Sequence, residues 1–511
     1  MPGRLQYPAE YQRRCPEWEF LSAPLGLGAA ANFVHEPSCW HPYGRWMGNA
    51  GGAGTDEYRP PITPFGGWVS DERINRLRPL ETAPHIGAFA PPGTGKTRKW
   101  LAQSAVMWPG PALVSSSKDD LMQMVASRRY GPSALLDLRP IAAPYYPSDF
   151  TPHRFDPTAL ITSVADAMAV AETLLSTSAV ALSGTAFRGG SDPGPWDQLA
   201  FAPLTCLLYA ASGAGTGQGM EWTLAASENV AMPKATGGFQ LGGDPSWAAA
   251  AAWTDDALFE ARVRAVLEME AKQRDSVKMT VTKVLTSWLR TSHRDRHLPP
   301  LDLSIFDEPA ATVYLLTPAD GTVAAQAITL MDALINRQRR KVAQWEEHSR
   351  VGLFLDEITN TPLPRLPQYL AESRGLGVSI CYAAQAGSQL DAIYGPLQGR
   401  AIRDVTPAVL IMYGSHEREL MESAAFWAGK TTRGSQSYNH NSDDKTTQRS
   451  FAGALEPEEL LPRNTGEARL VPRGTPGQMV QLLDWAEFCC YLDEVRAART
   501  SHHGTKQVST R

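Results

Sequence analysis

The sequence predicts an α/β fold: a mostly parallel sheet that carries a phosphate-binding loop and is interrupted by an all-helical block. Three observations lead there. Short runs that are apolar throughout recur from about residue 84, with helical patterns between several of them. Such runs suit strands buried on both faces and joined by helical crossovers. A Gly-rich string ending in Lys96-Thr97 follows the first run, and the acidic pair Asp356-Glu357 ends a later one.

Composition sets the bounds. The 511 residues are 43% hydrophobic and 9% aromatic, enough to bury a sizeable core in two or three units, so a disordered or fibrous chain is excluded. A formal charge of −5 excludes a surface that is basic all over. A nucleic-acid partner therefore needs a local basic face. Cys15, Cys39, Cys206, Cys381, Cys489 and Cys490 show no C-x-x-C spacing, and His35 and His41 flank Cys39 without a further ligand. Neither a disulfide framework nor a zinc site is expected, and a reducing compartment fits. Residues 1–14 hold no apolar signal segment. The runs Leu21–Val34 and Leu199–Ser212 are broken by proline or glycine and fall short of the ~20 residues that cross a bilayer. The expectation is a soluble chain with no transmembrane helix.

The elements follow in order. Residues 1–80, rich in Pro, Gly and Trp, read as an irregular segment with one short helix around Asp71–Leu77. Strands are expected at His85–Ala90, Ala112–Ser115, Thr312–Thr317, Val351–Leu355, Val378–Ala383 and Ala408–Met412. They assign residues 81–150 and 301–490 to one discontinuous nucleotide-binding domain. Residues 151–300 read as an all-helical domain. There Leu160, Ile161, Val164, Met168, Ala171 and Leu175 recur at helical spacing, as do Val277, Val281, Val284, Leu285 and Trp288. Thr254-Asp255-Asp256, upstream of the second set, suits a helix N-terminus. The polar tract Thr431–Ser450 is expected as a mobile loop, Cys489-Cys490 in a terminal strand or helix, and 491–511 as a frayed tail. Trp40, Trp46, Trp68 and Trp108 are expected as core anchors. His293 and His297 are four residues apart but lack a third ligand.

Chemistry concentrates in residues 86–97, IGAFAPPGTGKT. Glycines let successive N–H groups turn toward phosphate oxygens at the start of a helix. The candidate nucleotide-binding residues are Pro92, Gly93, Thr94, Gly95, Lys96, Thr97 and Arg98. Lys96 would reach the β/γ-phosphates and Thr97 would ligate Mg²⁺, so ATP and Mg²⁺ are the implied ligands. Ala90 stands where the pattern G-x-x-x-x-G-K-[ST] has its first glycine. The run Val351–Leu355 delivers Asp356 and Glu357 to the sheet's carboxyl edge, where open α/β sheets bind ligands. Asp356 would hold Mg²⁺ through water and Glu357 would polarise the attacking water. Gln385, ending the next strand, is either a γ-phosphate sensor or a surface amide. Arg374, just before that strand, is either a finger into a neighbouring subunit's nucleotide or a solvated loop arginine. The loop's wording also suits AAA+ unfoldases, but those place their acidic pair much closer to the loop than the 260 residues from Lys96 to Asp356.

At these residues the chain resembles the TraG/TraD-type coupling proteins of conjugation and type IV secretion, relatives of the FtsK/HerA translocases. The resemblance rests on Ser116-Ser117-Lys118-Asp119-Asp120-Leu121, on Phe155-Asp156-Pro157 followed by Trp196, and above all on the stretch after Leu355. That stretch runs Asp356-Glu357, Pro362-Leu363-Pro364-Arg365-Leu366-Pro367, Glu372-Ser373-Arg374-Gly375-Leu376-Gly377, Ala384-Gln385 and Ser388-Gln389-Leu390. It covers about residues 84–485. It implies a RecA-like P-loop ATPase that assembles as a homo-hexamer and drives DNA, bound to a relaxase, through its pore toward a type IV secretion channel. By position it implies phosphate and Mg²⁺ roles for Lys96 and Thr97 and a Walker B role for Asp356 and Glu357. It likewise gives Gln385 the sensor role and Arg374 the trans-arginine role. The family's pair of N-terminal membrane helices is missing, so the implied location is cytoplasmic or peripheral at the inner face of the membrane.

Two basic clusters are candidate DNA tracks. Lys272, Arg274, Lys278, Lys283, Arg290, Arg294 and Arg296 face only Asp275 and Asp295 in their stretch, and Arg337, Arg339, Arg340 and Lys341 crowd a helix end. Either would follow a phosphate backbone without reading sequence, or simply favour a helix C-terminus. Two further function classes stay open: a non-motor adaptor that uses nucleotide only to assemble and dock a relaxase or secreted protein, and an AAA+-like remodeller of proteins.

Overall fold

The computed structural model describes residues 64–494 apart from 72–75, 130, 140–149, 151, 182–193, 232–238, 240–243, 309, 320–322, 347 and 439–444. Thirteen strands occur in chain order: β1 (Phe65–Asp71), β2 (Arg76–Glu81), β3 (Ile86–Phe89), β4 (Ala112–Ser116), β5 (Ser133–Asp137), β6 (Thr312–Leu316), β7 (Val351–Leu355), β8 (Val378–Ala384), β9 (Ala408–Met412), β10 (Lys430–Tyr438), β11 (Lys445–Gly453), β12 (Glu467–Pro472) and β13 (Gln478–Gln481). Eleven of them lie side by side as β2-β1-β13-β12-β9-β3-β8-β7-β4-β6-β5. From β9 to β5 every neighbouring pair is parallel. From β9 outward through β12, β13, β1 and β2 every pair is antiparallel.

All six expected strands form. Their residues are buried on both faces, as uninterrupted apolar runs require. Alternate side chains enter two different cores: Leu113, Leu353 and Ile380 pack on one face, Val114, Phe354 and Cys381 on the other. Two helices flank the second face, α1 (Lys96–Met107, π-wound over Lys96–Leu101) and α2 (Asp119–Arg128).

Between β5 and β6 the described residues form α3 (Val164–Ala181), α4 (Pro195–Ala211), α5 (Gly219–Glu228), α6 (Trp247–Thr254), α7 (Ala257–Leu267) and α8 (Ala271–Asp295). Ala171, Leu207, Val281 and Trp288 of this block share one continuous core with Leu113 and Leu353 of the sheet. Asp256 does cap a helix, accepting from the N–H groups of Leu258 and Phe259, but the helix it starts is α7, separate from α8. Then come α9 (Ala324–Ala343), α10 (Leu366–Glu372), α11 (Gly387–Tyr394), α12 (Pro396–Val405), α13 (Arg418–Ala428) and a last helix at 485–494.

Three expectations are corrected. Asp71–Leu77 is not a helix: Asp71 closes β1 and Leu77 lies in β2, an antiparallel pair whose Trp68 is fully buried against Phe488 and Tyr491. The tract Thr431–Ser450 is not a loop where it is described. β10 and β11 pair antiparallel from Lys430–Gly453 to Tyr438–Lys445: the ladder is made by backbone groups, and a proline-free polar run can form it as an apolar one does. Residues 491–494 are helical, with Leu492 buried, so only 495–511 of the expected tail lie outside the described residues, together with Trp40 and Trp46. Cys489 and Cys490 sit in that last helix.

Candidate nucleotide-binding site

After β3 the chain turns through the Gly-rich loop into α1. Gly93 and Gly95 take φ of 80° and 91°, a region L side chains avoid. A Cβ on Gly95 would stand 2.9 Å from Lys99 Cδ, whereas one on Gly93 would meet open space. Ala90 needs no glycine: it is fully buried, its N–H donates to Ala384 O at 3.2 Å as the ladder continues, and its backbone stays out of the left-handed region. The Thr94 hydroxyl donates to Pro91 O at 2.8 Å. Lys96 is buried, and its ammonium donates to the loop's own carbonyls, Ala90 O at 2.7 Å and Pro91 O at 3.4 Å. Burial holds its pKa below the usual lysine range, and the nearby charges of Asp356 and Glu357 oppose that shift.

β8 lies between β3 and β7, and β7 lies beside β4, all parallel, so their carboxyl ends meet at one edge. Thr97, Asp356, Glu357 and Gln385 are brought together there. The Thr97 hydroxyl lies 3.2 Å from both Asp356 carboxylate oxygens. The Ser116 hydroxyl, from the end of β4, donates to Asp356 Oδ2 at 3.2 Å. Desolvation and then the Glu357 charge push the Asp356 carboxyl up to about 6, against the hydrogen bonds from Ser116 and Thr97. Glu357 adopts φ 57°, a left-handed conformation for a non-glycine residue. Its Oε1 accepts from Gln385 Nε2 at 3.3 Å and its Oε2 from Asn360 Nδ2 at 2.9 Å. Gln389 exchanges two hydrogen bonds with Gln385: the Gln385 N–H donates to Gln389 Oε1 at 3.2 Å, and Gln389 Nε2 to Gln385 Oε1 at 3.3 Å.

The donor set fits a magnesium–nucleoside triphosphate. Hydroxyl and carboxylate oxygens are the hard ligands Mg²⁺ takes. The buried lysine and open glycine loop suit phosphate oxygens at a helix start. Sequence reasoning missed Ser116, Asn360 and Gln389 as part of the site. Ser116 and Gln389 fall within segments that carry the resemblance but were given no role there, and Asn360 follows Glu357 by three residues, a local spacing that carries no motif.

Other expected residues lie elsewhere. The Arg98 guanidinium turns away to pair with Asp484 at 2.8 Å, leaving only its backbone in the first turn. Arg374 lies in a tight 3₁₀ turn, Ser373–Leu376, and its side chain is outside the described residues. The second basic cluster is engaged with acids: Arg337 and Lys341 with Asp307, Arg339 with Glu372 and Arg340 with Asp166. In the first cluster Lys278, Arg294 and Arg296 pair with Glu228, Asp295 and Glu221. Lys272, Lys283 and Arg290 stay exposed along α8. The His293 side chain lies outside the described residues. Among the described residues no helix is long and apolar enough to cross a membrane.

A family model described as the TraM recognition site of TraD and TraG matches residues 350–465, which run from β7 past the acidic pair to the start of β12. No curated protein matches the chain in sequence. Among solved structures, the bacterial conjugative coupling protein TrwBdeltaN70 in its unbound monoclinic form is similar over 79% of this chain and 86% of its own. Its TM-score is 0.52 at 16% identity. The plasmid coupling protein TrwB in complex with ADP and Mg²⁺ is similar over 80% and 87%, with a TM-score of 0.50 at 15% identity. The fold is thus the RecA-like P-loop fold of those structures. The segment that the family model describes, residues 350–465, is set into that fold.

Proposed function

We propose that the chain is an ATP-hydrolysing subunit of a conjugative coupling motor. It would work as a homo-hexameric ring that moves relaxase-bound DNA toward a type IV secretion channel. One observation carries the reading. Lys96, Thr97, Asp356, Glu357 and Gln385 come from three separate turns and converge at one sheet edge, in a fold shared with a coupling protein.

Each residue's part follows from its place. Lys96, now on two carbonyls, exchanges neutral acceptors for the charged oxygens of a β/γ-phosphate, which make stronger bonds. Thr97 and Asp356 hold Mg²⁺, with Ser116 orienting the carboxylate. Mg²⁺, when bound, neutralises charge on the phosphate oxygens. Glu357 accepts the proton of the attacking water, and Gln385 directs both. Arg374 serves the neighbouring subunit's nucleotide. Lys272, Lys283 and Arg290 on α8 give DNA a sequence-independent track. The segment 350–465 offers a docking face to a relaxosome protein, and a partner supplies attachment at the inner membrane face.

The test is ATP turnover by the purified chain, with its oligomeric mass measured, with and without single- and double-stranded DNA. The expected result is DNA stimulation that fades as salt rises, and a loss of roughly 100-fold or more in Lys96→Ala and Glu357→Gln. Nucleotide binding with turnover near zero would point instead to the adaptor. Stimulation by unfolded protein and not by DNA would point to the remodeller.

A further inference from the structure

We infer that Asn360 and Gln389 are positioning residues that together fix the direction of the Glu357 carboxylate. The inference rests on the reading of Glu357 as the residue that activates water. The backbone of Glu357 sits in a sparsely populated region, and such a conformation persists only where its surroundings over-determine it. Here they do. The N–H before it, of Asp356, donates to Ser115 O at 2.9 Å, and the N–H after it, of Ile358, donates to Ala383 O at 3.0 Å. The Asn360 N–H closes the turn on Glu357 O at 2.9 Å. The peptides flanking Glu357 are thus pinned to the strands on both sides of β7, and the side chain leaves the sheet edge in a set direction.

Two amides then finish the job. Asn360 Nδ2 takes one carboxylate oxygen and Gln385 Nε2 the other. An amide can present either its oxygen or its nitrogen, and Gln389 decides which. Because Gln389 Nε2 donates to Gln385 Oε1, the Gln385 NH₂ group is left to face Glu357. Gln389 is in turn held by the Gln385 N–H. Neutral donors orient a carboxylate while perturbing its proton affinity less than a cation would. That suits a group that must point accurately and still accept a proton.

The experiment uses the full chain under the DNA and salt conditions that give the highest turnover. It compares kcat and KM for ATP across Asn360→Ala, Asn360→Asp, Gln389→Ala, Glu357→Gln and the double variant Asn360→Ala/Glu357→Gln. Asn360→Ala and Gln389→Ala are expected to lower kcat about tenfold, the lower end for residues that orient a working group, with KM changed less than about twofold. Asn360→Asp keeps the shape but replaces the donating NH₂ with an oxygen, so it should lower kcat at least as much as Asn360→Ala. In the Glu357→Gln background the Asn360→Ala change should add nothing, because its effect runs through that side chain. Full independent loss in the double variant, wild-type kcat in Asn360→Asp, or wild-type kcat in both alanine variants overturns the proposal. Gln389 lies on a different element, so the proposal stays testable if Asn360→Ala does not fold. Wild-type turnover in Glu357→Gln alone would instead remove the base on which the inference stands, a result distinct from the others.

Discussion

Asp356, the proposed Mg²⁺ ligand, shows how a residue placed for a site costs the fold something. Its carboxyl is pushed up to about 6 by burial and by Glu357, so at neutral pH the folded chain holds a charge in a site that would rather have it neutral. The sign follows. A carboxyl whose folded pKa is raised contributes stability below its unfolded pKa, near 3.9, and loses it as pH rises through about 6. Asp356→Asn should therefore stabilise the nucleotide-free chain at pH 7.5, by on the order of 1–3 kcal/mol, while removing Mg²⁺-dependent turnover. Urea melts at pH 7.5 and pH 4 check this: the gain should vanish at the lower pH, and a variant less stable at pH 7.5 would contradict the assignment. At this scale the sequence is legible where residue order is itself a motif. The meeting of Thr97 with Asp356, and the place of Lys96 and Glu357 near them, could be anticipated because phosphate and Mg²⁺ demand those types in that order. Ser116, Asn360 and Gln389 could not, since an amide or hydroxyl becomes part of a site only once the fold sets its neighbour.

Strand burial explains which elements could be read in advance. The central strands are apolar on both faces and announce themselves. The antiparallel strands beside them do not: β12 is buried only at Ala468, Arg469 and Leu470, and β1 carries Gly66 and Gly67 because side chains of Leu470 and Val480 fill the space a Cβ would need. β10 and β11 are polar along most of their length, and polarity alone cannot tell a ribbon from a loop. Turns are more sharply determined. In the link from α10 to β8, Gly377 has φ 69°, and a Cβ there would come 2.9 Å from Val342 Cγ2 on α9. Gly375, two residues earlier, faces open space at an ordinary φ. Gly377→Ala should then destabilise by about 1–2 kcal/mol, and Gly375→Ala by nothing or in the opposite direction. Equilibrium denaturation of the two variants separates steric from entropic effects within one turn. Equal losses at both positions would contradict the geometry.

Across the molecule, the helical block and the sheet are joined by more than apolar contact. Asp332, buried on α9, accepts from Thr173 on α3 at 2.9 Å, from Asn336 at 2.9 Å, and from the hydroxyl of Tyr369 on α10. α10 is the first helix after the acidic pair, so this node ties the block to the segment that leaves the nucleotide site. Helical periodicity revealed the block and apolar runs revealed the sheet. Their common core depends on which faces meet, and a single sequence does not carry that. Tyr369→Phe keeps the ring in place and withdraws one donor from a buried carboxylate, which costs about 1.5–3 kcal/mol for a bond to a charged group. Because the core is continuous, the loss should appear as a lower melting temperature for one shared transition. Far-UV circular dichroism follows helices throughout the chain, while hydrogen exchange at the amides of β4 and β7 follows the sheet. Both signals should shift together in Tyr369→Phe. Two separate transitions, or a shift in the helical signal alone, would mean that the block melts apart from the sheet and that the Asp332 node does not couple them.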